Sequence, residues 1–154
     1  MNSYSWKIPR YRPDAAYRAV LSKDGRITIP KECITDLIHA RDNIVSWFLT
    51  NSLEEGILCL YTSEDFENVK EQLGRLNSMD INARNVKKWI IGEAVNIRLD
   101  SRRRIKIYSE HLMRLGIEST SYSASFPVMV LKYPNRIEIM LNTVYERIQK
   151  EFRD

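Results

Sequence analysis

The stretch that decides the fold is Leu99–Ile107, LDSRRRIKI, whose pattern occurs earlier in the chain at Leu21–Ile29, LSKDGRITI. Each stretch runs from a leucine through a polar, basic segment to an arginine that begins an Ile-x-Ile alternation. Alternation of this kind predicts a strand with one face in a core and the other in solvent. In the earlier copy, Asp24 and Gly25 form a strong turn signal, because glycine tolerates the positive φ that a tight hairpin requires. The sequence therefore predicts two copies of a basic β-hairpin.

The elements around the two hairpins are predicted to follow the same order twice. In the first copy they are strands over 15–21 and 27–29, a helix from Pro30 to about Ala40, and strands over 44–50 and 57–61. In the second copy they are strands over 94–99 and 105–108, a helix capped by Ser109 and ended by Gly116, and strands over 126–132 and 136–141. The repeated order indicates a duplicated ββαββ unit.

Two helices are predicted to connect the copies. Thr62 and Asp65 resemble a capping box at the start of the first, and the second begins near Asp80 with Ile81 on its apolar side. The basic face of the second helix is either a solvated surface or a DNA contact. A last helix is predicted over 142–154.

The positive charge of the chain is concentrated in one place. The formal net charge is +4, and the nine residues 98–106 alone carry five basic side chains against Asp100. This segment therefore holds a charge equal to that of the whole chain. Concentrated charge of one sign suits a phosphate-backbone partner, because such binding scales with the number of phosphates neutralised.

The sequence offers little support for catalysis or metal binding. The cysteines, Cys33 and Cys59, lie in apolar surroundings and are predicted to be buried, and the histidines, His39 and His111, are isolated from each other. We find no pairing of nucleophile and base, no Gly-rich phosphate loop and no metal-ligand spacing, so we expect no enzyme, no cofactor, no metal and no small-molecule substrate. No apolar run approaches the roughly 18 residues of a membrane span, so we expect a cytoplasmic protein without a membrane partner.

The paired motifs, Leu-Asp-x-x-x-Arg-Ile at 99–105 and its weaker copy at 21–27, resemble those of the MraZ family, which belongs to the AbrB-type swapped-hairpin superfamily. The connector segments 65–79 and 91–94 are also similar to the family's linker in content and spacing. The resemblance implies an α+β fold in which two tandem AbrB-like swapped-hairpin β units form a pseudo-twofold barrel joined by a helical connector. The corresponding division is a basic aromatic arm at 1–14, a first repeat at 15–62, the connector at 63–93, a second repeat at 94–141 and a C-terminal helix at 142–154.

The resemblance also implies a function. It points to a nucleoid-associated transcriptional regulator, usually a repressor, that reads short direct repeats in double-stranded DNA upstream of the division and cell wall gene cluster and forms ring-like homo-oligomers. The DNA-binding residues implied are the motif arginines Arg26 and Arg104, and Asp100 is expected to shape its turn, as Gly25 does in the first copy. By charge, we add Lys23, Arg102 and Arg103 as DNA-binding candidates.

The chain departs from the family's pattern at three turn positions. Ser22 stands where the family usually has aspartate, Asp24 where it has lysine, and Arg103 where it has glycine. A non-glycine residue at 103 either avoids positive φ or carries strain of about 1 kcal/mol. We therefore expect the two hairpins to contribute unequally to DNA binding.

Two other interpretations stay open at the level of sequence. The motif arginines could belong to ion-paired surface turns organised by Asp24 or Asp100. The chain could also be an AbrB-like antitoxin or an oligomeric scaffold whose basic arm binds an acidic protein partner.

Overall fold

Eight antiparallel strands form one sheet in the computed structural model, which describes residues 11–35, 46–118 and 124–153. The strands are β1 (Ala15–Leu21), β2 (Arg26–Thr28), β3 (Trp47–Asn51), β4 (Ile57–Thr62), β5 (Val95–Ile97), β6 (Arg104–Lys106), β7 (Phe126–Tyr133) and β8 (Arg136–Leu141). The helices are α1 (Lys31–Ile34), α2 (Ser63–Gly74), α3 (Ile81–Lys87), α4 (Ser109–Arg114) and α5 (Asn142–Arg153), and a π-helical turn, Lys88–Gly92, follows α3.

The two sequence repeats interleave in the sheet, whose strand order is β5-β3-β4-β8-β7-β1-β2-β6. The symmetry is seen when each strand of the first repeat is exchanged with its counterpart in the second, so that β1 takes the place of β5, β2 of β6, β3 of β7 and β4 of β8. The β1·β7 pair then becomes the β5·β3 pair, which is also present. The β4·β8 and β2·β6 pairs are unchanged by the exchange. These last two pairs therefore lie on a pseudo-twofold axis. Because they are half a circuit apart in a nearly closed barrel, they lie at its opposite poles. The α+β class with a pseudo-twofold barrel is confirmed.

The core fills the barrel with apolar side chains from both repeats. Trp47 on β3 is fully buried, and Ile27 and Ile105 meet across the β2·β6 pair with 1% of their surface exposed. A second apolar cluster lies on the outer face of the sheet, where Ile148 of α5 packs with Met129 and Met140. Because apolar side chains of both repeats are buried in the same interior, neither repeat forms a separate core.

Several predicted helix ends are confirmed. The hydroxyl of Thr62 accepts a hydrogen bond from the N–H of Asp65 at 3.1 Å, and Asp80 caps α3 through the N–H of Asn82. Gly116 follows α4 with φ +95°, a conformation that glycine adopts readily.

Three details differ from the prediction. Ser109 is the first residue of α4, and the cap position is Tyr108, which makes no side-chain capping bond. Ile81 is 60% exposed, because the buried face of α3 is formed by Ala83 and Val86. The predicted strands 27–29 and 105–108 begin one residue earlier, at the motif arginines.

Parts of the predicted pattern lie outside the described residues. The helix predicted to about Ala40 can be followed only through α1 and Thr35, and the first two residues of the strand predicted over 44–50 are not described. His39 and residues 1–10 of the arm are also outside this range.

Candidate nucleic-acid interface

The motif arginines lie on a two-stranded ribbon formed by β2 and β6. Arg26 is paired with Lys106, Ile27 with Ile105, and Thr28 with Arg104. Since successive side chains of a strand point to opposite faces, burial of the two isoleucines turns the other four side chains outward. The ribbon therefore presents three cations and a threonine on one outer face.

A basic turn lies at each end of the ribbon. The first turn, Ser22–Gly25, precedes β2, and the second turn, Asp100–Arg103, precedes β6. Because β2 and β6 are antiparallel, the two turns lie at opposite ends. All the candidate cations are thereby brought together on or beside one face of the molecule.

Each turn is held by a strand end of the other repeat. The N–H of Ile107 donates to the carbonyl of Gly25 at 2.8 Å, and the N–H of Ile29 donates to the carbonyl of Arg103 at 2.8 Å. Lys106 also donates through Nζ to the carbonyl of Asp24. The turns are thus held by backbone contacts that connect distant parts of the chain.

The carboxylate of Asp100 organises the second turn. Its Oδ1 accepts from the backbone N–H groups of Arg102 and Arg104 at 2.8 and 2.9 Å, and its Oδ2 accepts from Arg104 Nε at 2.8 Å. The bond from the Arg104 N–H is the main cause that holds the pKa of Asp100 below its ordinary value. The guanidinium of Arg104 is therefore oriented by a charged carboxylate, while Arg102 and Arg103 are exposed.

The first turn uses a serine in the place of that aspartate. Ser22 Oγ accepts from the N–H of Arg26 at 3.1 Å, and its hydroxyl donates to the carboxylate of Asp24, which also pairs with the Arg26 guanidinium. Chiefly through the Ser22 hydrogen bond, the pKa of Asp24 falls to about 2. The carboxylate stays charged, so residues 22–26 carry two cations against one anion, whereas residues 100–104 carry three against one.

The two turns share a left-handed residue just before the arginine. Gly25 has φ +80° and Arg103 has φ +60°. A Cβ on Gly25 would lie 2.8 Å from the Ile107 carbonyl oxygen, so glycine is required there both for its φ and for the close approach. Arg103 also has a positive φ, and because it is not glycine its backbone is strained by about 1 kcal/mol.

Both motif arginines are ion paired, as the surface-turn interpretation requires. The side chains of the Arg26–Asp24 pair are 41% and 53% exposed, and those of the Arg104–Asp100 pair are 38% and 37% exposed. Exposed pairs of this kind contribute little to stability, commonly about 0–1 kcal/mol. Such arginines can therefore exchange part of their carboxylate contacts for phosphate or base contacts at low cost.

Two side chains of this face, Lys106 and Thr28, were not among the residues predicted for it. Lys106 counted toward the basic segment, but only the register shows that it lies directly across from Arg26. The alternation of Arg104 and Lys106 around buried Ile105 was the available signal, because residues two apart on a strand share a face. Thr28 was missed for the same reason.

The remaining candidate groups are structural where they are described. Cys33 and Cys59 are buried and free, and burial raises their pKa to about 11 and about 12. Burial also lowers the pKa of His111, whose Nε2 lies 3.0 Å from the carbonyl oxygen of Glu93. Within the described ranges, no cluster of three or more His, Cys, Asp or Glu side chains could hold a metal ion, and no helix is long and apolar enough to cross a membrane.

Comparison with known proteins gives consistent relatives. No family model matches the chain. The chain is 27% identical over 132 residues to the transcriptional regulator MraZ of Proteus mirabilis, a match that covers 85% of this chain and 81% of the relative. It is 26% identical over 134 residues to the Mesoplasma florum protein of the same name, covering 87% and 83%. With the Photorhabdus laumondii protein it shares 31% identity over 97 residues, covering 63% and 62%.

The chain is similar to transcriptional regulators of the MraZ family. The family resemblance inferred from the paired motifs is thereby confirmed. The motifs of the family correspond in this structure to the ends of the β2·β6 ribbon and to the two turns beside it.

Proposed function

We propose that the chain is a DNA-binding transcriptional regulator that contacts double-stranded DNA through the outer face of the β2·β6 ribbon and its two turns. The observation that carries this proposal is the convergence of Arg26, Arg104 and Lys106 on one face, with a basic turn at each end. The names of the relatives, which are transcriptional regulators, support it.

The dimensions of the ribbon suit the major groove. Paired strands lie about 4.8 Å apart, and a major groove about 12 Å wide admits a two-stranded β-ribbon. A guanidinium can donate two parallel hydrogen bonds to guanine O6 and N7, or can bind a phosphate in the same way. We assign this reading role to Arg26 and Arg104, since their side chains lie near the two ends of the ribbon.

The turns are suited to phosphate contacts. Lys23 lies in the first turn, Arg102 and Arg103 lie in the second, and all three are exposed. Contacts to phosphates fix the position of a protein on the duplex without reading its sequence. Turns at both ends of the ribbon would reach the two sides of the groove, and Asp100 and Gly25 would shape them.

We propose further that the protein is a cytoplasmic, nucleoid-associated repressor of the division and cell wall gene cluster that reads short direct repeats as a ring-like homo-oligomer. The support is the family resemblance of the motifs. One ribbon would contact only a few bases. When one copy in an oligomer is bound, the linked copies are at a high effective concentration near the next DNA repeat, so an oligomer would favour repeated sites over single ones.

The test is titration of fluorescent duplexes that carry the short repeats upstream of this cluster. We expect the double variant Arg26→Ala/Arg104→Ala to lose at least tenfold in affinity and to show a shallower dependence on salt, by about one unit of log-log slope per lost phosphate contact. The matched control is Arg75→Ala. Arg75 is also exposed and ion paired with a residue of its own helix, Glu71, but it lies at the end of α2. This helix packs through Phe66 on Phe48 of β3 and on Tyr61 of β4.

Equal affinities for the double variant and the control would overturn the proposal. If the chain were instead an antitoxin or a scaffold, neither variant would change a duplex titration. An acidic protein would then be retained by the unmodified chain and released by Lys7→Ala/Arg10→Ala in the basic arm.

A further inference from the structure

The outer face that carries the ribbon continues onto β1. Val20 of β1 is 59% exposed and Leu21 beside it is buried, as the alternation of side chains along a strand requires. Because Leu21 pairs with Ile27 of β2, the same antiparallel register sets Val20 opposite Thr28. The face therefore carries a valine next to the threonine of the ribbon.

Val20 belongs to a row of side chains that crosses the sheet. Thr28 pairs with Arg104 of β6, so Arg104, Thr28 and Val20 lie side by side on the outer face. Two strand spacings separate Arg104 from Val20, about 10 Å in all. Pro127 of β7 lies opposite Val20 on its other side and is also exposed. The row therefore changes from a cation at one end to exposed aliphatic groups at the other.

The second repeat has a cation in the place of Val20. In the alignment of the two repeated stretches, Arg98 corresponds to Val20 and Lys106 to Thr28. Arg98 is exposed, and within the described part of the chain it forms no ion pair. The pseudo-twofold axis through the β2·β6 pair therefore relates two flanks of unlike chemistry, one aliphatic and the other cationic.

Arg98 lies beside the free edge of β6. The N–H of Asp100, two residues further along the chain, donates to the carbonyl of Arg104 at 3.0 Å, and the first turn is closed by the equivalent bond. The two hairpins therefore close in the same way. Arg98 flanks β6 as Val20 flanks β2.

The two flanks suit different parts of a DNA groove. Among the four bases, only thymine presents a methyl group in the major groove, and apolar side chains contact it there. A guanidinium can instead donate hydrogen bonds to a phosphate and neutralise its charge. A single exposed valine is ordinary on a protein surface. Val20 is distinguished by its place in one row with Arg104, to which a base-reading role is assigned above.

We propose that Val20 packs against the 5-methyl group of a thymine while Arg98 contacts a phosphate on the other side of the groove, so that each copy reads its site in one direction. These roles depend on the proposed DNA-binding function and name the base that one flank selects. A face with two equal halves would suit a palindromic site, as twofold dimers do. Two unequal halves instead give each bound copy a polarity, as a direct repeat requires.

The methyl contact is tested by replacing each thymine of the repeat duplex in turn with deoxyuridine, which lacks only the 5-methyl group. For the native chain we expect about a fourfold loss of affinity at one thymine position of each repeat, the effect of uncovering one buried methyl group. Val20→Ala should bind the unmodified duplex about fourfold more weakly and should show no further loss at that position. Equal losses in the two proteins at every thymine, or no loss at any thymine, would overturn the proposal.

The matched control is Ile81→Ala, which shortens a branched side chain of similar exposure, 60%, at the start of α3. This variant should keep both the native affinity and the native sensitivity to deoxyuridine. If the control also lost its sensitivity, the effect would not come from Val20 and the contact would be refuted. Each loss is a ratio of two affinities of the same protein, so a smaller folded fraction does not change it.

The cationic flank is tested with Arg98→Ala. We expect about a threefold loss of affinity and a salt dependence shallower by about one unit of log-log slope, while the loss at the sensitive thymine stays the same. An unchanged salt slope, or a missing deoxyuridine effect, would contradict the assignment of the two flanks.

The polarity is tested by attaching an iron chelate that generates hydroxyl radicals to Ser101→Cys, in the second turn. Cys33 and Cys59 are buried, so the chelate attaches at position 101. We expect DNA cleavage at one end of each repeat, and at the same end in all of them. Cleavage of equal strength at both ends would overturn the single direction of reading.

The outcomes separate this proposal from the DNA-binding function on which it depends. If the native chain binds the duplex and Arg26→Ala/Arg104→Ala does not, but no thymine methyl group matters, only the roles of Val20 and Arg98 fail. If the native chain does not bind the duplex, both proposals fail.

Discussion

The first and second turns have the same backbone design but differ in how they use their acidic residue. In both, the residue at the turn's start donates its N–H to the motif arginine's carbonyl, and the residue before that arginine has positive φ. In the second turn Asp100 accepts backbone N–H groups and holds the turn together, whereas in the first turn Ser22 does this and Asp24 faces Arg26. The comparison shows that one fold can keep the shape of a turn while changing its charge.

The largest expected effect is an unequal loss of DNA affinity in the single variants. Arg104→Ala removes a cation from the more positive turn, and we expect about a 10- to 100-fold loss of affinity, the range of one good bidentate contact. For Arg26→Ala we expect a loss about three times smaller, because Asp24 already neutralises part of that turn. Titration of the same duplex at constant salt measures both, and equal losses would refute the unequal division.

A second prediction concerns the backbone that the turns share. Gly25→Ala should lower the free energy of unfolding by about 1–3 kcal/mol, because alanine would be strained at this φ and its Cβ would meet the Ile107 carbonyl. Urea denaturation measures the change. Gly74→Ala is the control, since a Cβ there has no neighbour within 4 Å in the structure and alanine favours the helix. Similar losses in both variants would show that the close approach is unimportant.

Introducing a glycine at the left-handed position of the second turn should stabilise the protein. Arg103→Gly should raise the free energy of unfolding by about 0.5–1 kcal/mol, because glycine relieves the strain of φ +60° but adds freedom to the unfolded chain. Arg102→Gly is the matched control and should be neutral or destabilising. If Arg103→Gly destabilises the protein as much as the control does, the left-handed residue stores no strain.

Removal of the Asp24 charge should make the turns more alike. Asp24→Asn leaves Lys23 and Arg26 unopposed, so we expect about a threefold gain in affinity for DNA of any sequence and a steeper salt dependence. Titrations of repeat and unrelated duplexes measure the gain. A loss on both duplexes would indicate that Asp24 positions Arg26 more than it opposes binding.

The smallest expected effect is on stability at low pH. The pKa of Asp24 is lowered from 3.8 to about 2, so its ionised form stabilises the folded state above the ordinary pKa, and this contribution disappears as the pH falls from about 4 to about 2. Thermal unfolding should therefore show a difference in Tm between the native chain and Asp24→Asn that narrows over that interval. Because both side chains of the pair are exposed, the difference should be small. A difference that is independent of pH would exclude the ion pair as its source.

Sequence reasoning predicted most of the secondary structure and identified the family that the chain resembles, but it found only some of the residues of the candidate site. The boundaries of β1, β7 and β8 agree with the prediction to within a residue, because their alternation and flanking turns are local signals. The cap predicted at Ser109 was wrong, since Tyr108 has the extended backbone of the cap position. One-residue shifts of this kind depend on packing that local patterns do not contain.

The sequence by itself determined the two basic hairpins, the positive-φ requirement at Gly25, and the concentration of charge near Arg104. Each of these depends on residues that are close together in the chain, where turn chemistry and strand alternation act directly. Only the tertiary structure decided that β2 lies beside β6 and that Lys106 faces Arg26. Those relations join segments tens of residues apart, and they are decided by the shared core that both repeats must fill.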